Sequence, residues 1–416
     1  MVKASALYMA IIIALFIAVI CSALIVVGYY YRLELSQKER FNDLRRNLGS
    51  GQNILLADSL GYAAERAIIL FGHTNDSLRL QRYPWGIFDV GVVKAFIQSD
   101  TLVSAFQIGR RPDTLASPAL YLVDEDRPLS VSGQTLIKGP AYLPKSGIRA
   151  AYVDNEGYKG DKKMVNGPVR DSERGLPVLN SARMALLKAL FQREEEEESG
   201  RLQGDTLKQL FRAPQKLIYF GKVPQTLAHI SLSGHILIVS DTTITVDSTA
   251  KLQNVIIAAK SLKIGAGFTG TCQLFAQDSL IIGDDVRFNY PSCIGLLADH
   301  SKGRQILQIG NKAVIEGIVF CPPAEDESLP PLMQFGKEAV LRGQVYAGGV
   351  LSFKGKMNIT GGAYAKRFLY QNAYTAYENY LINISLDATS LSRYYLNGML
   401  LPFSAPKTGV LQWLDK

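Results

Sequence analysis

Six short segments decide the fold: Ile244-Thr245-Val246-Asp247, Leu262-Lys263-Ile264-Gly265, Leu280-Ile281-Ile282-Gly283, Leu307-Gln308-Ile309-Gly310, Met333-Gln334-Phe335-Gly336 and Leu351-Ser352-Phe353-Lys354. Each is an apolar-x-apolar step closed by a turn residue, and the starts fall at positions 244, 262, 280, 307, 333 and 351. Most steps share one period of about 18 residues and the rest are lengthened by insertions, which marks a chain wound into a solenoid.

Inside each repeat, every sixth residue is apolar or small. The third position reads Val246, Ile264, Ile282, Ile309, Phe335 and Phe353. The ninth reads Leu252, Gly270, Phe288, Ile315, Leu341 and Ile359. The fifteenth reads Ala258, Ala276, Ala298, Cys321, Ala347 and Ala365, once four extra residues are allowed before Ala298. Alternate strand residues face opposite ways, so this spacing predicts a three-sided parallel β-helix of about 18 residues per rung. One rung cannot bury its own apolar face; stacking at about 4.8 Å makes a continuous core. Gly317, Gly343 and Gly361 share the eleventh position, a bend that glycine makes at least cost. A degenerate first rung is expected near Leu227, with Ile236, Ile238 and Ser240 in matching places. Insertions around Asp299 to Gln305 and from Pro322 to Pro331 are expected to leave the coil as surface loops.

Val340-Leu341-Arg342-Gly343-Gln344-Val345-Tyr346-Ala347 and Ile359-Thr360-Gly361-Gly362-Ala363-Tyr364-Ala365 resemble the rungs of bactofilins, a polymer-forming bacterial cytoskeletal family. The resemblance runs from about Thr243 to Arg367 and implies a parallel β-helix able to stack end to end.

Leu7 to Tyr29 carries no charge, and as a helix rising about 1.5 Å per residue it is long enough to cross a bilayer core. Tyr29, Tyr30 and Tyr31 stand where an interfacial aromatic belt lies. The length and the missing A-x-A site favour an uncleaved single-pass helix over a signal peptide. Beyond it Leu33, Phe41, Leu44 and Leu48 recur at helical spacing, Gly49-Ser50-Gly51 interrupts, and Gln52 to Phe71 regains helical composition. The short N-tail, the apolar helix and the extension bearing Arg32-Leu33-Glu34-Leu35 resemble the N-termini of pseudopilins and PilX-like minor pilins. Lys3-Ala4 stands where a processing glycine would be sought, so no processed pilin is expected. Arg32, Lys38, Arg40, Arg45 and Arg46 follow the span against Lys3 before it, which favours a cytoplasmic bulk domain. The pilin-like resemblance implies the opposite orientation, and the bulk is expected outside the cytoplasm, on a single-pass cell-membrane anchor.

The division expected is an anchor at 1–31, a helical extension at 32–71, a mixed α/β domain at 72–225, the solenoid at 226–367 and a C-terminal cap at 368–416. The fold class is thus α+β and membrane-anchored. Proline punctuates short strand-like stretches in the middle region, and Ser181 to Phe211 reads as helical around the solvated run Glu194 to Glu198. Tyr370, Tyr374, Tyr377 and Tyr380 have helical spacing in the cap.

The net charge of +8 carries no clustered basic patch with aromatics, so nucleic acid is not an expected partner. Cys21 lies in the apolar helix; Cys272, Cys293 and Cys321 lie in the repeat and read as small buried residues, with a Cys272–Cys293 bridge as the alternative. Gly265-Ala266-Gly267-Phe268-Thr269-Gly270 fits G-x-G-x-x-G but sits in a β-repeat with no helix after it, so it reads as a turn. His73, His229, His235 and His300 show no metal-ligand spacing. Asp247, Asp278, Asp284, Asp285 and Glu316 are scattered over different rung positions, whereas sugar cleavage needs paired acids at a set separation. No catalytic, cofactor-binding or metal-binding residue is assigned. The function expected is a non-enzymatic envelope scaffold or assembly protein, whose partners are the membrane and either itself or other envelope proteins. Its alternatives are a minor-pilin-like component of a pilus or secretion machine, tested through Leu33, Phe41 and Leu44, and a carbohydrate-active β-helix enzyme.

Overall fold

The computed structural model describes residues 4–57, 61–62, 65–70, 76–113, 117–192, 204–297, 303–324, 329–372, 375–402 and 404–415. Its first element, α1, is one unbroken helix, Ala4–Leu56. Its apolar window has a mean hydropathy of 3.3 and none of it is buried, as a membrane span standing clear of the folded body would be. The glycine interruption expected at 49–51 is absent. Gly51 instead permits close approach: a Cβ there would lie 2.7 Å from Val93 Cγ1 and 3.0 Å from Leu80 Cδ2. The helical extension also stops earlier than expected, at Leu56, and Arg66–Ile68 is a strand.

The C-terminal part of α1 packs on a five-stranded antiparallel sheet made of Arg66–Ile68, Asp76–Trp85, Phe88–Ile97, Asp100–Pro112 and Ser404–Trp413, in that order. Alternation along the strands gives the sheet two apolar faces. One buries Leu78, Leu80, Val93 and Phe106 against Leu44 and Leu55 of α1. The other buries Trp85, Phe88, Val90 and Val92 against Ile256, Phe275 and Phe320 of the repeat region. Pro112 and Ser404 are neighbours in this sheet, so the chain between them is an insertion into it.

That insertion is dominated by parallel strands belonging to one twenty-stranded sheet. The third-position residues are in register throughout: Val246 with Ile264, Ile264 with Ile282, Ile282 with Ile309, Ile309 with Phe335 and Phe335 with Phe353. The ninth-position residues Gly270, Phe288, Ile315, Leu341 and Ile359 are likewise paired in turn. These columns line a single buried core. The fifteenth position needs correcting. Asn254, at φ +59°, is an extra residue between Gln253 and Val255 and shifts the register by one. Ala259 therefore pairs with Ala276 inside, while Ala258 pairs with Phe275 and joins the cluster under the antiparallel sheet. Leu296, not Ala298, continues the inner column beside Ala276; Ala298 lies outside the described residues.

Gly317, Gly343 and Gly361 adopt φ of 149°, 145° and 138°. A Cβ on Gly343 would sit 1.9 Å from Gly317 O, and one on Gly361 1.8 Å from Gly343 O. No side chain fits, because successive strands at this bend meet backbone to backbone.

The expected middle domain at 72–225 does not exist as a unit. Its first part is the antiparallel sheet. Its centre supplies short strands, Leu120–Leu122, Leu136–Lys138 and Ala141–Leu143, that add parallel pairs beyond Met357–Gln371, at the far end of the stack. Val165–Asn166 and Val169–Asp171 continue it outward. Its last part, Thr206–Gln209 and Lys216–Tyr219, begins the stack at the opposite end, before the expected start at 226. Among the described residues, the helical reading of Ser181 to Phe211 is met by α2, Ser181–Lys188, capped by Asn180, and a 3-10 turn, Ala189–Gln192, and is corrected at Thr206–Gln209, which is a strand; residues 193–203, with the run Glu194 to Glu198, lie outside the described residues. The C-terminal tyrosines are not helical: Tyr370, Tyr377 and Tyr380 are in strands, and Tyr374 lies outside the described residues. Cross-strand pairing overrides a chance helical spacing of aromatics that suit strands equally well.

Candidate functional site

The chain offers surfaces and junctions, and each can be built from its residues. The first is the neck of α1. The buried stripe Leu44, Gly51 and Leu55 continues at helical spacing down to Leu33 and Phe41, which are 42% and 48% exposed. An open groove of about 610 Å³ lies between this face and the tip of the hairpin made by Phe88–Ile97 and Asp100–Pro112, lined by Glu34, Lys38, Phe41, Leu44, Asp100 and Leu102. Arg40 Nε donates to Asp100 Oδ2 at 3.3 Å and pins the hairpin tip to the neck. Leu44 is only 2% exposed. It belongs to the fold, and only Leu33 and Phe41 of the three expected neck residues are presented.

The second is a buried ion cluster that joins the end of α1, the antiparallel sheet and α2. Asp89 is fully buried. Its Oδ2 accepts from Arg82 Nε at 2.8 Å and Nη2 at 2.6 Å, and its Oδ1 accepts from Arg183 Nη2. Arg183 Nη1 also donates to Gly86 O and Phe88 O, and Arg82 Nη1 reaches Leu55 O at the end of α1. Tyr62 donates to Asp89, and its hydroxyl pKa is raised, first by burial and then by the Asp89 charge. Nothing in the sequence flagged these residues. Arg82 and Asp89 are 7 positions apart on adjacent strands, and Arg183 is 94 from Asp89.

The third is the junction between antiparallel sheet and stack. Gln273 Oε1 accepts from Ile87 N at 2.9 Å, and its Nε2 donates to Trp85 O at 2.9 Å. Trp85 Nε1 donates to Asn254 O at 3.3 Å, so the bulge that shifts the register also supplies a docking carbonyl. His235 stacks on Tyr83 and Phe211 with ring centroids 5.1 and 5.3 Å away, and its Nδ1 lies 3.0 Å from Ala213 O. It is a packing residue of this junction. His229 is exposed in a turn at φ +57°. His73 and His300 lie outside the described residues.

Asp284, Glu316, Asp278 and Asp247, four of the carboxylates weighed for catalysis, are engaged in structural contacts. Asp284 accepts from Asn311 N at 2.7 Å and bonds its side-chain amide, stapling one turn to the next. Asp285 is the left-handed residue of that turn, at φ +56°. Glu316 pairs with Arg342 on the neighbouring strand, and Asp278 with Lys260 at 3.7 Å. Asp247 accepts from Thr249 N and Oγ1, which hold its pKa below the usual carboxylate range. Among the described residues no cluster of His, Cys, Asp and Glu is arranged to hold a metal. The glycine motif at 265–270 is the turn between Lys251–Ile264 and Thr269–Ile282 and the first residues of the latter, with no helix after it. Cys272 and Cys293 are both buried and free, and burial raises both thiol pKa values. Burial likewise raises Cys321, to about 12.

No family model matches the chain, and no curated relative matches it. Among solved structures the chain is similar to the competence-associated pilin ComZ from Thermus thermophilus, at 9% identity and a TM-score of 0.24, over 85% of this chain and 87% of that one.

Proposed function

We propose that this chain is a membrane-anchored assembly subunit of minor-pilin type. In this reading α1 and the antiparallel sheet form the anchored unit, and the module it carries is a three-sided β-helix with the rung length read from the repeat. The observation that carries the reading is the closure of one sheet by Asp100–Pro112 and Ser404–Trp413, with the whole parallel stack inserted between them. A long apolar helix lying on an antiparallel sheet is then a complete unit, and the stack is cargo displayed by it. The exposed apolar neck at Leu33 and Phe41 supports assembly through helix packing with other anchored subunits. The bulk lies outside the cytoplasm in this reading, and the chain is not an enzyme; the structural engagement of Asp284, Glu316 and Asp278 supports the latter.

The test is co-purification of membrane partners from detergent extracts with Leu33→Ser and Phe41→Ser together, leaving buried Leu44 intact. Partners should be lost while the denaturation midpoint is unchanged. Retention of the same partners would sink the reading. Protease treatment of intact cells checks orientation: the bulk should be cut without lysis. The bactofilin-like scaffold is the second reading, favoured by the terminal strands Thr206–Gln209 and Val169–Asp171, each with one parallel partner among the described residues. Concentration-dependent filaments from the solubilised chain would favour it over the first.

A further inference from the structure

Residues 376–387 lie between parts of the chain made long before and just before them. Strand Ile384–Asp387 has parallel partners on both edges: residues 357–360 on one side and 136–138 on the other. Strand Tyr380–Ile382 pairs with residues 130–132. Without these, the early coils at 119–143 meet strand Met357–Gln371 through one short ladder, Leu120–Leu122 on Ala363–Ala365. One level of the stack is therefore composite, with residues 120–122 and 380–387 supplied from opposite ends of the sequence.

The segment is built to be gripped from both sides. Leu381, Ile384 and Leu386 are at most 1% exposed and join the main core. Asn383, in the left-handed region at φ +57°, accepts from Gln134 N through Oδ1 and donates to Glu156 through Nδ2, both at 2.8 Å. Arg367, on the late side, donates to Glu125 at 2.8 Å and to Glu378 at 3.0 Å, and Arg127 closes the network on Glu378.

We propose that residues 376–387 act as a closing strap that locks the early coils onto the late stack. The far end of the module, residues 129–171, is then formed only in a chain completed through its C-terminal region. Strand Ser404–Trp413, which follows the strap, closes the anchored sheet in the same event. Order spreads outward from the strap, because a coil can be protected only once its neighbour is in place.

Hydrogen exchange on the full-length chain in detergent tests this with Leu381→Ala and Asn383→Gly. Gly keeps the left-handed backbone and removes only the side-chain bonds. Exchange across 129–171 should rise at least about tenfold in Leu381→Ala and about threefold in Asn383→Gly, while 243–353 changes less than about twofold. An equal rise in both regions, or no rise in 129–171 for either variant, would overturn the strap. If Leu381→Ala does not fold, the Asn383→Gly result decides by the same criterion.

Discussion

Replacing Asp89 by alanine should be among the most damaging single changes outside the repeat. The Arg82, Asp89 and Arg183 side chains are 3%, 0% and 2% exposed, so none is screened by water. Asp89 neutralises one of two guanidinium groups held within hydrogen-bond reach of it. Its removal leaves both cations facing each other in a dry site, with Tyr62 losing its acceptor. Breaking a buried pair from one side costs roughly 3–5 kcal/mol, mostly from the stranded charge. Asp100→Ala is the matched control. It removes an ion pair of 3.3 Å whose side chains are 30% and 50% exposed, and exposed pairs contribute about 0–1 kcal/mol. Equilibrium urea unfolding of the full-length chain in one detergent, followed by tryptophan fluorescence from Trp85 and Trp413, compares the two. Replacing Arg82 and Arg183 by methionine in the Asp89→Ala background should recover much of the loss, since the penalty lies in the unpaired charge. The reasoning fails if Asp89→Ala costs no more than Asp100→Ala, or if the triple replacement is worse still.

Gly343→Ala should cost several times more than Gly147→Ala. Both have positive φ, at 145° and 74°, but only the first Cβ meets backbone, at 1.9 Å; the second should lose about 1–2 kcal/mol from conformation alone. Gln273→Ala strands Ile87 N and Trp85 O at the sheet–stack junction, and should cost about 1–3 kcal/mol in the same unfolding assay. Burial alone would raise the Asp387 pKa, but hydrogen bonds from Thr389 and Ser390 outweigh it and hold the carboxyl below its ordinary value. A depressed folded-state pKa gives stability above the unfolded value that is lost as pH falls through the folded one. Asp387→Asn should therefore be less stable than the parent at neutral pH, and the gap should close in acid; a gap independent of pH would count against this.

Much of the fold is legible in the sequence. The apolar run at 7–29 and the column Val246, Ile264, Ile282, Ile309, Phe335, Phe353 are local regularities, and their register is found as written. They survive because an uninterrupted apolar run and a fixed inward spacing each need only the chain's own order. The even spacing puts Ala258 one place out because the bulge at Asn254 changes the count, and extra residues after Phe288 bring Leu296 beside Ala276, in both cases without any change in composition.

The sequence by itself determined that a long apolar helix is joined to a repetitive stack, since both follow from regularities over short stretches of chain. Tertiary structure alone decided that the stack is inserted into an antiparallel sheet, that residues 120–171 sit at its far end, and that 380–387 fill the seam. Strands such as Leu120–Leu122 and Ile384–Asp387 are too short to show a period. Their partners are chosen by fit against distant neighbours, which no local pattern encodes. The Asp89 cluster is hidden for the same reason: a charge becomes a lock only when folding removes the water around it.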